Sequence, residues 1–345
     1  MRRSLALFLL LAAGCAAAGA ERDGAFLLGG IQVNEPDHGA WVEALQAAGM
    51  NAVQVTVYAR QGDWDTADLW WESEEPWVVA EARAAKARGL AVVLVLRVAL
   101  DHAYPRNRFF WHGMILPTSD AQVAEWFRRY GEFVDQWAGV AQREGIDLLA
   151  IASEMNSLAS TLPVAEVPVL EEYWANAEKV AGEQGKLLAH GAELAGRSIW
   201  MPGGESYPAL DAYLADQAAA HRAWARQVAF LDAPDAVAAI NERRRRLERG
   251  WEQVIEGARA AYAGRLTYAA NFDQYREVGF WDRLDLLAIN AYFPLRERLL
   301  EDSSEGELLA ALRGGWRGIL ADLDAFRRAT GIPAHPVLFS ELGYT

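Results

Sequence analysis

The stretch AVVLVLRVA, residues 91–99, consists almost wholly of β-branched and aliphatic residues and lacks the polar–apolar alternation of a half-exposed strand. Uniformly apolar strands are typical of parallel sheets, which are covered on both faces. LLAIAS, residues 148–153, is a second such run. Residues 121–143, between the two, carry apolar side chains three and four positions apart, which predicts a helix. The order strand, helix, strand is that of a βα unit.

The same alternation continues in both directions along the chain. Five further strands are predicted at residues 26–33, 52–58, 266–271, 286–292 and 337–340. Further helices are predicted at residues 41–48, 76–88 and 307–329. Glycines that separate a helix from the next strand are expected at positive φ, where glycine costs least: Gly89, Gly145, Gly264 and Gly331.

Two α/β architectures fit this alternation, a doubly wound open sheet and a (β/α)8 TIM-type barrel. A doubly wound sheet usually has a Gly-rich phosphate loop after its first strand, but Gly29-Gly30 lies inside the first run and no G-x-G-x-x-G follows. The barrel is therefore predicted, with its site at the carboxyl ends of the strands. Its eighth βα unit is lacking before Thr345. Since an open barrel exposes two strand edges, we expect a truncated sequence rather than an open barrel.

One connection is far longer than a crossover needs. Residues 157–248, after the fourth strand, have helical character and include segments 171–184 and 210–230 and the basic run Arg243 to Arg246. We interpret them as an insertion within a barrel that occupies residues 21–345. The insertion either caps the barrel mouth or forms a solvated helical hairpin without a role in binding.

Composition excludes several classes of protein. A hydrophobic fraction of 52% excludes intrinsic disorder. Lys+Arg 33 against Asp+Glu 47 gives a net charge of −14, which disfavours nucleic acid as a partner. A single cysteine excludes a disulfide framework and a Cys-based zinc site, and no His–Glu spacing of metal-binding type occurs. Neither a metal nor another cofactor is predicted.

The first 20 residues have the composition of an export signal. Arg2 and Arg3 precede an apolar run at residues 5–13 that is too short to span a membrane. Cys15 follows in LAAGC, which resembles a bacterial lipoprotein signal with Cys15 as the lipidated residue. The alternative is an ordinary secretory signal cut after a small-residue site such as Ala18-Gly19-Ala20. We favour an exported protein that contacts the membrane only through an N-terminal lipid anchor.

Two glutamates follow apolar strands. Glu154 ends the fourth strand in LLAIASEMNS, and Glu341 ends the seventh in PVLFSELGYT. Carboxylates there lose hydration, which is tolerated where a perturbed pKa or nucleophilicity is useful. Strands four and seven face each other across a barrel mouth, so we expect both carboxyls to flank one glycosidic bond, as in a retaining glycosidase with carboxyls about 5 Å apart. Taken singly, either glutamate is better explained as a surface charge or an ion-pair partner.

Four further motifs resemble those of glycoside hydrolase family 113, whose known members are β-mannanases. They are YAANFD (268–273), FWDRLDLLAINAYFPL (280–295), WHGMILP (111–117) and FSELGY (339–344). The resemblance implies a retaining, endo-β-mannanase-like enzyme without a cofactor. It implies Glu154 as general acid/base and Glu341 as nucleophile. Tyr292 would hydrogen-bond the nucleophile, and Asn271 and Trp111 would line the sugar subsites.

The chain departs from this pattern at two places where sugars are held. Ser153 precedes Glu154 where the superfamily commonly has Asn, and Asn156 lies two positions beyond Glu154. The third strand ends in Arg97-Val98-Ala99 instead of a Lys-Pro-His type segment. Both changes bear on sugar specificity more than on the reaction, because the two glutamates remain.

Other polar and aromatic residues near the strand ends are candidate sugar contacts. Indole rings stack on sugar C–H surfaces, and four Trp fall in or near the loops after strands two and three: Trp64, Trp70, Trp71 and Trp111. Packing in the core explains such residues equally well. Asn156, Asp101 and His102 complete the predicted carbohydrate contacts, although Asp101 also suits a capping role and His102, like His112, suits a structural pairing in its loop.

Two other functions remain open. The chain can be a non-catalytic carbohydrate- or partner-binding lipoprotein on a degenerate glycosidase barrel, which the changes at Ser153 and in the third strand would favour. It can also be an inverting or non-mannan glycosidase. Inverting sites hold their carboxyls about 6.5 to 9.5 Å apart.

Overall fold

Seven parallel strands form the main sheet of the computed structural model, which describes residues 26–31, 37–107, 110–166, 199–200, 206–216, 219, 234–295 and 304–343. The strands are β1 (Gly29–Ile31), β2 (Ala52–Gln61), β3 (Ala91–Leu100), β4 (Leu148–Ser153), β5 (Arg265–Asn271), β6 (Leu287–Ala291) and β7 (Val337–Leu342). Each strand pairs with its successor in this order. Within the described residues β1 does not pair with β7, so the sheet curls into a barrel that stays open between them.

Helices connect and surround these strands. The described helices are α1 (His38–Ala47), α2 (Glu75–Ala87), α3 (Asp120–Glu144), α4 (Asn156–Ala159), α5 (Pro234–Ala261) and α6 (Glu305–Ala329). Ser119 and Ser304 begin α3 and α6 with capping boxes. A TIM-type barrel that lacks one βα unit is thus confirmed.

The bounds of the described strands and helices agree with the predicted bounds to within a few residues. One prediction about the glycines is wrong. Gly89, Gly145 and Gly331 have positive φ as predicted, but Gly264 does not. Gly264 instead lies under the ring of Tyr262, where an added Cβ would stand 2.2 Å from the hydroxyl oxygen. Close packing, rather than backbone conformation, requires glycine there.

Alternation along the strands divides the side chains between two sides of the sheet. Small and medium residues such as Val93, Val95, Ala150 and Ala288 form a cluster inside the barrel. The opposite face packs on the helices in a much larger core. Because successive residues of a strand point to opposite faces, Arg97 shares the interior face with Val93 and Val95, at the carboxyl end of β3.

An aromatic cluster fastens α3 and α5 to the outside of β4 and β5. Trp126 and Tyr130 of α3 stack at 4.7 Å between ring centroids. Trp251 of α5 packs edge-on against Tyr130 and stacks on Phe280. These rings are fully buried, so they place α3 and α5 firmly behind the strand that precedes Glu154.

The open side of the barrel contains a cavity. Its volume is about 410 Å³, including space that is open to solvent, and residues of β1, β2 and β7 line it. Ile31 and Leu342, on the two unpaired edges, are 39% and 55% exposed. Within the described residues, the gap thus leaves exposed apolar side chains on both strand edges.

Two predicted segments lie partly or wholly outside the described residues. The export signal with Cys15 is outside them, as is most of the region 157–248. That region contributes α4, an antiparallel pair Ile199–Trp200 with Ser206–Tyr207, and the first half of α5, which continues past Glu248 to Ala261. No described helix combines the length and the apolar character needed to cross a membrane.

Candidate active site

Glu154 follows β4 in an unusual backbone conformation. Its φ of 52° makes it the one non-glycine residue with positive φ in the described part of the chain. The register of β4 against β5 shifts between Ala150 and Ser153, which is a bulge directly before Glu154. Bulges of this kind redirect the next side chain and are frequent beside active sites. Glu154 N–H donates to the Ala269 carbonyl at 2.9 Å and so keeps the turn on the sheet.

Three buried aromatic side chains fix the backbone around Glu154. The Tyr130 hydroxyl donates to the Ile151 carbonyl at 2.8 Å, and the Trp251 indole donates to the Leu158 carbonyl at 2.9 Å. The Tyr268 hydroxyl accepts from the Met155 N–H at 3.0 Å. The surrounding structure therefore over-determines the strained residue, as it must for such a conformation to persist.

Glu341 lies in β7 just after a second bulge. The register against β6 shifts between Phe339 and Glu341. The Tyr292 hydroxyl, which follows β6, donates to Glu341 Oε2 at 2.7 Å. Burial and the neighbouring Glu341 carboxylate raise the pKa of the Tyr292 hydroxyl to about 12, so it remains protonated and donating at neutral pH.

Arg97 joins the two carboxylates. Its Nη2 contacts Glu154 Oε2 at 3.4 Å and forms a closer ion pair with Glu341 Oε1. The same nitrogen donates to Ser153 Oγ at 3.0 Å. The three charged side chains are only 12–17% exposed. Because Glu154 Oε2 and Glu341 Oε1 both contact Arg97 Nη2, these two oxygens lie about 6 Å apart at most.

His112 is the second partner of Glu154. Its Nε2 lies 3.0 Å from Glu154 Oε2, on the turn His112–Met114 against which α4 packs. Burial by itself raises the pKa of the Glu154 carboxyl, but hydrogen bonds from His112 and Asn290 and the charge of Arg97 outweigh it and lower the pKa below its ordinary value. Glu154 is therefore ionised in the free site at neutral pH.

The two carboxylates in turn shift the pKa of Arg97. Burial alone lowers the pKa of the guanidinium, yet the Glu341 and Glu154 carboxylates raise it above its usual range. The site thus holds one permanent cation between two carboxylates.

A row of polar side chains supports this triad from inside the barrel. Ser153, Asn290 and Ser340 are almost fully buried. The Ser340 hydroxyl donates to Asn290 Oδ1 at 2.7 Å, and the Asn290 amide reaches Ser153 Oγ at 3.4 Å. The row links β7, β6 and β4 beneath the carboxylates, and Arg97 extends it to β3.

The other predicted contacts have different surroundings. Trp111 is 36% exposed beside His112, with ring centroids 5.0 Å apart, and its indole covers Gly113. Asn271 Oδ1 accepts from the next backbone N–H, and Asp101 Oδ1 accepts from Ala103 N–H in a turn. His102 is exposed in the same loop as Asp101.

The remaining predicted contacts are Asn156 and three tryptophans, each of which has a place in the fold. Asn156 begins α4, and its Oδ1 is buried without a hydrogen-bond partner among the described residues. Trp64 stacks on Phe110 at 4.6 Å, and Trp71 packs on Phe133 of α3. Trp70 pairs with Arg60 in a two-residue strand, Leu69–Trp70, at the end of β2.

Sequence reasoning missed two residues around the carboxylates, Tyr58 and Asn290. It named Arg97 and His112 but did not connect either of them with the two glutamates. Arg97 stands out in the sequence as the one charged residue of β3. In the structure Tyr58 is paired with Arg97 in register and is 38% exposed. His112 lies in the WHGMILP motif, but its contact with Glu154 was not predictable because the loop that brings the two together is irregular. No group of three or more potential metal ligands occurs in the described ranges.

Comparison with known proteins finds a family profile that matches most of the chain. The profile of Glycoside Hydrolase Family 113 matches residues 33–161 and 237–345, more than half of the chain. No curated protein sequence matches.

Two solved structures share the fold at low identity. A GH113 β-mannanase from Alicyclobacillus acidocaldarius, in complex with ManMIm, is 17% identical with a TM-score of 0.52, and the match covers 88% of this chain and 64% of that one. A GH113 β-1,4-mannanase is 15% identical with a TM-score of 0.51, and the match covers 91% of this chain and 70% of that one. This chain spans less than two thirds of the first structure. The two structures support the barrel fold, and the profile match shows that the chain belongs to glycoside hydrolase family 113.

Proposed function

We propose that this protein is a retaining glycoside hydrolase that acts on β-linked hexose polymers or oligosaccharides, with β-mannan as the preferred class. The observation that carries the proposal is that Glu154 and Glu341 both contact Arg97 Nη2. Carboxyls this close leave room for direct attack on the sugar but not for an intervening water, which favours retention over inversion.

The reaction has two displacements. Glu154 donates its proton to the glycosidic oxygen as Glu341 attacks the anomeric carbon, so the carbon–oxygen bond breaks and a glycosyl ester forms on Glu341. Glu154, now a carboxylate, then takes a proton from water as that water attacks the anomeric carbon and releases Glu341. Tyr292, which donates to Glu341 Oε2, holds the attacking carboxylate in place.

Mannan-type specificity is supported by family membership and by the β-mannanases that share the fold. The exposed Trp111 indole lies one residue from the Glu154 partner His112, where a sugar ring can stack. Tyr58, exposed and in register with Arg97, offers a second ring on the other side.

Hydrolysis of β-mannan, mannooligosaccharides and aryl β-glycosides tests the proposal. Glu341→Gln is expected to reduce turnover to background, and Glu154→Gln to slow it by about 100-fold or more. The control is Glu132→Gln, an exposed glutamate paired with Arg128 on α3, which should leave turnover unchanged. The first-formed product should keep the β configuration in proton NMR.

Three outcomes would contradict parts of this proposal. Undiminished activity in Glu341→Gln would exclude it as the nucleophile. An α product would mean an inverting enzyme. Calorimetric binding of mannooligosaccharides without turnover of any glycan would support a carbohydrate-binding protein on this barrel.

We further propose that the protein is exported and anchored by a lipid on Cys15, on the basis of the Arg2-Arg3 and apolar run before it. Cell fractionation of wild type and Cys15→Ala tests this. The wild type should stay with membranes, and the variant should not. Release of both into the soluble fraction would favour a secreted protein.

A further inference from the structure

The two carboxyls of this site have opposite requirements. A general acid has to hold a proton when the substrate arrives, whereas a nucleophile has to be ionised. In the free protein both contact the same guanidinium nitrogen. A cation beside a carboxyl favours its ionised form, which suits a nucleophile but opposes the role of Glu154 as general acid.

The contacts of Arg97 are not symmetrical. Its ion pair with Glu341 is close, and its contact with Ser153 Oγ is a hydrogen bond of ordinary length. Its contact with Glu154 is long, at 3.4 Å, and Glu154 has another partner in His112 at 3.0 Å. The Glu154 contact is therefore the one that breaks most easily.

The space that a substrate needs also favours loss of the contact between Arg97 and Glu154. The sugar ring has to enter between the two carboxyls, because one acts on its glycosidic oxygen and the other on its anomeric carbon. Arg97 Nη2 lies between them in the free site. Its anchors at Ser153, below the carboxylates, and at Glu341 allow the guanidinium to turn away from Glu154 without leaving the site.

We infer that Arg97 is the positioning residue that gives the two acids their different roles: it stays on Glu341 as the sugar enters and releases Glu154. This inference rests on the function proposed above. Once released, Glu154 retains the burial that favours its protonated form and loses the cation that opposed it. Glu341 keeps its ion pair with Arg97 and its hydrogen bond from Tyr292.

The groups that face Arg97 and Glu154 come from every neighbouring element. Tyr58 of β2 lies in register with Arg97, and His112 approaches Glu154 from the loop after β3. Asn290 of β6 and Tyr292 after it face the pair from the other side, next to Glu341. Tyr268 lies behind the Glu154 turn and is neutral, because burial raises its pKa well above the ordinary value. Arg97 is thus the permanent cation among the groups described here.

Carboxyl titration tests whether Arg97 acts on Glu154 in the free protein, and it requires no turnover. Glutamate labelled with ¹³C at the carboxyl carbon is followed by NMR, and the Glu154 signal is assigned from its loss in Glu154→Gln. In Arg97→Met the pKa of Glu154 should rise by about one unit or more, because a cation is removed from beside two close carboxylates. Arg97→Lys, which keeps the charge, should restore most of the shift. Arg83→Met, at an exposed ion pair with Glu144, should change nothing.

Kinetics test the release. The alkaline limb of kcat/KM reports the acid of the free enzyme, and that of kcat reports the acid of the complex. In the wild type the limb of kcat should lie at higher pH than that of kcat/KM. In Arg97→Met the two limbs should coincide near the higher value. Thermal melts of Arg97→Met and Arg97→Lys show whether each variant is folded.

The outcomes are distinguishable. Equal limbs in the wild type, or an unchanged Glu154 titration in folded Arg97→Met, would overturn the inference. A wild type that hydrolyses no glycan would overturn the proposed function and the release step. In that case an Arg97-dependent titration would still support the hold of Arg97 on both acids.

Discussion

Glu154 occupies a backbone conformation that costs a non-glycine residue about 1 kcal/mol or more. Its neighbours compensate with hydrogen bonds to Ile151, Met155 and Leu158. The carboxyl group can thus leave the direction of β4 and turn toward Arg97 and His112. A glycine at this position would relax the backbone, but it would bring no acid.

Tyr292→Phe removes one hydrogen bond from Glu341 and little else. A bond to a charged group is worth about 1.5–3 kcal/mol, so kcat/KM should fall by about 10- to 100-fold while the melting temperature stays nearly constant. Steady-state kinetics on an aryl β-mannoside would measure the loss. Tyr104→Phe, at an exposed hydroxyl, is the matched control. A loss of the same size in both variants would exclude a specific role for Tyr292.

For single residues, the sequence predicts which side chains belong to the site better than it predicts what they contact. An apolar strand that ends in glutamate is visible in the chain, so Glu154 and Glu341 stand out. Their shared contact with Arg97 depends on two bulges that change which side chain faces inward, and no local pattern marks a bulge. The side chains of Asn271 and Asp101, which equally end strands, bond to nearby backbone N–H groups instead.

Among the elements, α3, α5 and β5 support the turn at Glu154 through single polar atoms of large rings. Tyr268→Phe would leave the buried Met155 N–H without an acceptor. Such a loss costs about 1–3 kcal/mol of unfolding free energy, and turnover should fall with it because the Glu154 turn loosens. Urea unfolding and kinetics of the same preparation would test both effects. Full activity with reduced stability would show that Tyr268 acts on the fold alone.

The helix α2 contains a carboxyl group that the site does not use. Glu81 is fully buried, and neither carboxyl oxygen has a hydrogen-bond partner among the described residues. Burial raises the pKa of Glu81 to about 8. Because the unfolded chain releases this proton near pH 4.5 and the folded chain near pH 8, the unfolding free energy should fall as the pH rises between those values.

Glu81→Gln removes this titration. Relative to wild type, the variant should gain about 2 kcal/mol or more between pH 5 and pH 8 in urea unfolding. The exposed Glu132→Gln should follow the wild type at both values. Parallel stability curves for Glu81→Gln and wild type would mean that Glu81 is ionised in the folded protein.

Element bounds were the most predictable feature of the molecule. Uniformly apolar runs marked β3 and β4 because both faces of these strands are covered, and Gly145 marked the end of α3. Gly264 shows the limit of such reasoning. Its surroundings depend on Tyr262, whose ring position the sequence does not reveal.

At the scale of the whole molecule, β1 and β7 each have an unpaired edge within the described residues. Unpaired strand edges with apolar side chains associate with other chains. We expect a chain of residues 1–345 to self-associate at micromolar to millimolar concentrations, which Ile31→Lys together with Leu342→Lys should reduce. Sedimentation velocity over a concentration series would measure it. Leu309→Lys, an exposed leucine on α6, is the control, and an equal effect there would assign the association to another surface.

The opening also distributes stiffness unequally between the two acids. Glu154 follows a strand that β3 and β5 flank on both sides, whereas Glu341 belongs to a strand that pairs with β6 alone within the described residues. Deuterium should therefore replace the amide protons of β7 sooner than those of β4. In the reaction proposed above, Glu341 would rest on the more compliant support and follow the anomeric carbon as it moves toward the carboxylate, while Glu154 would remain fixed relative to the leaving oxygen.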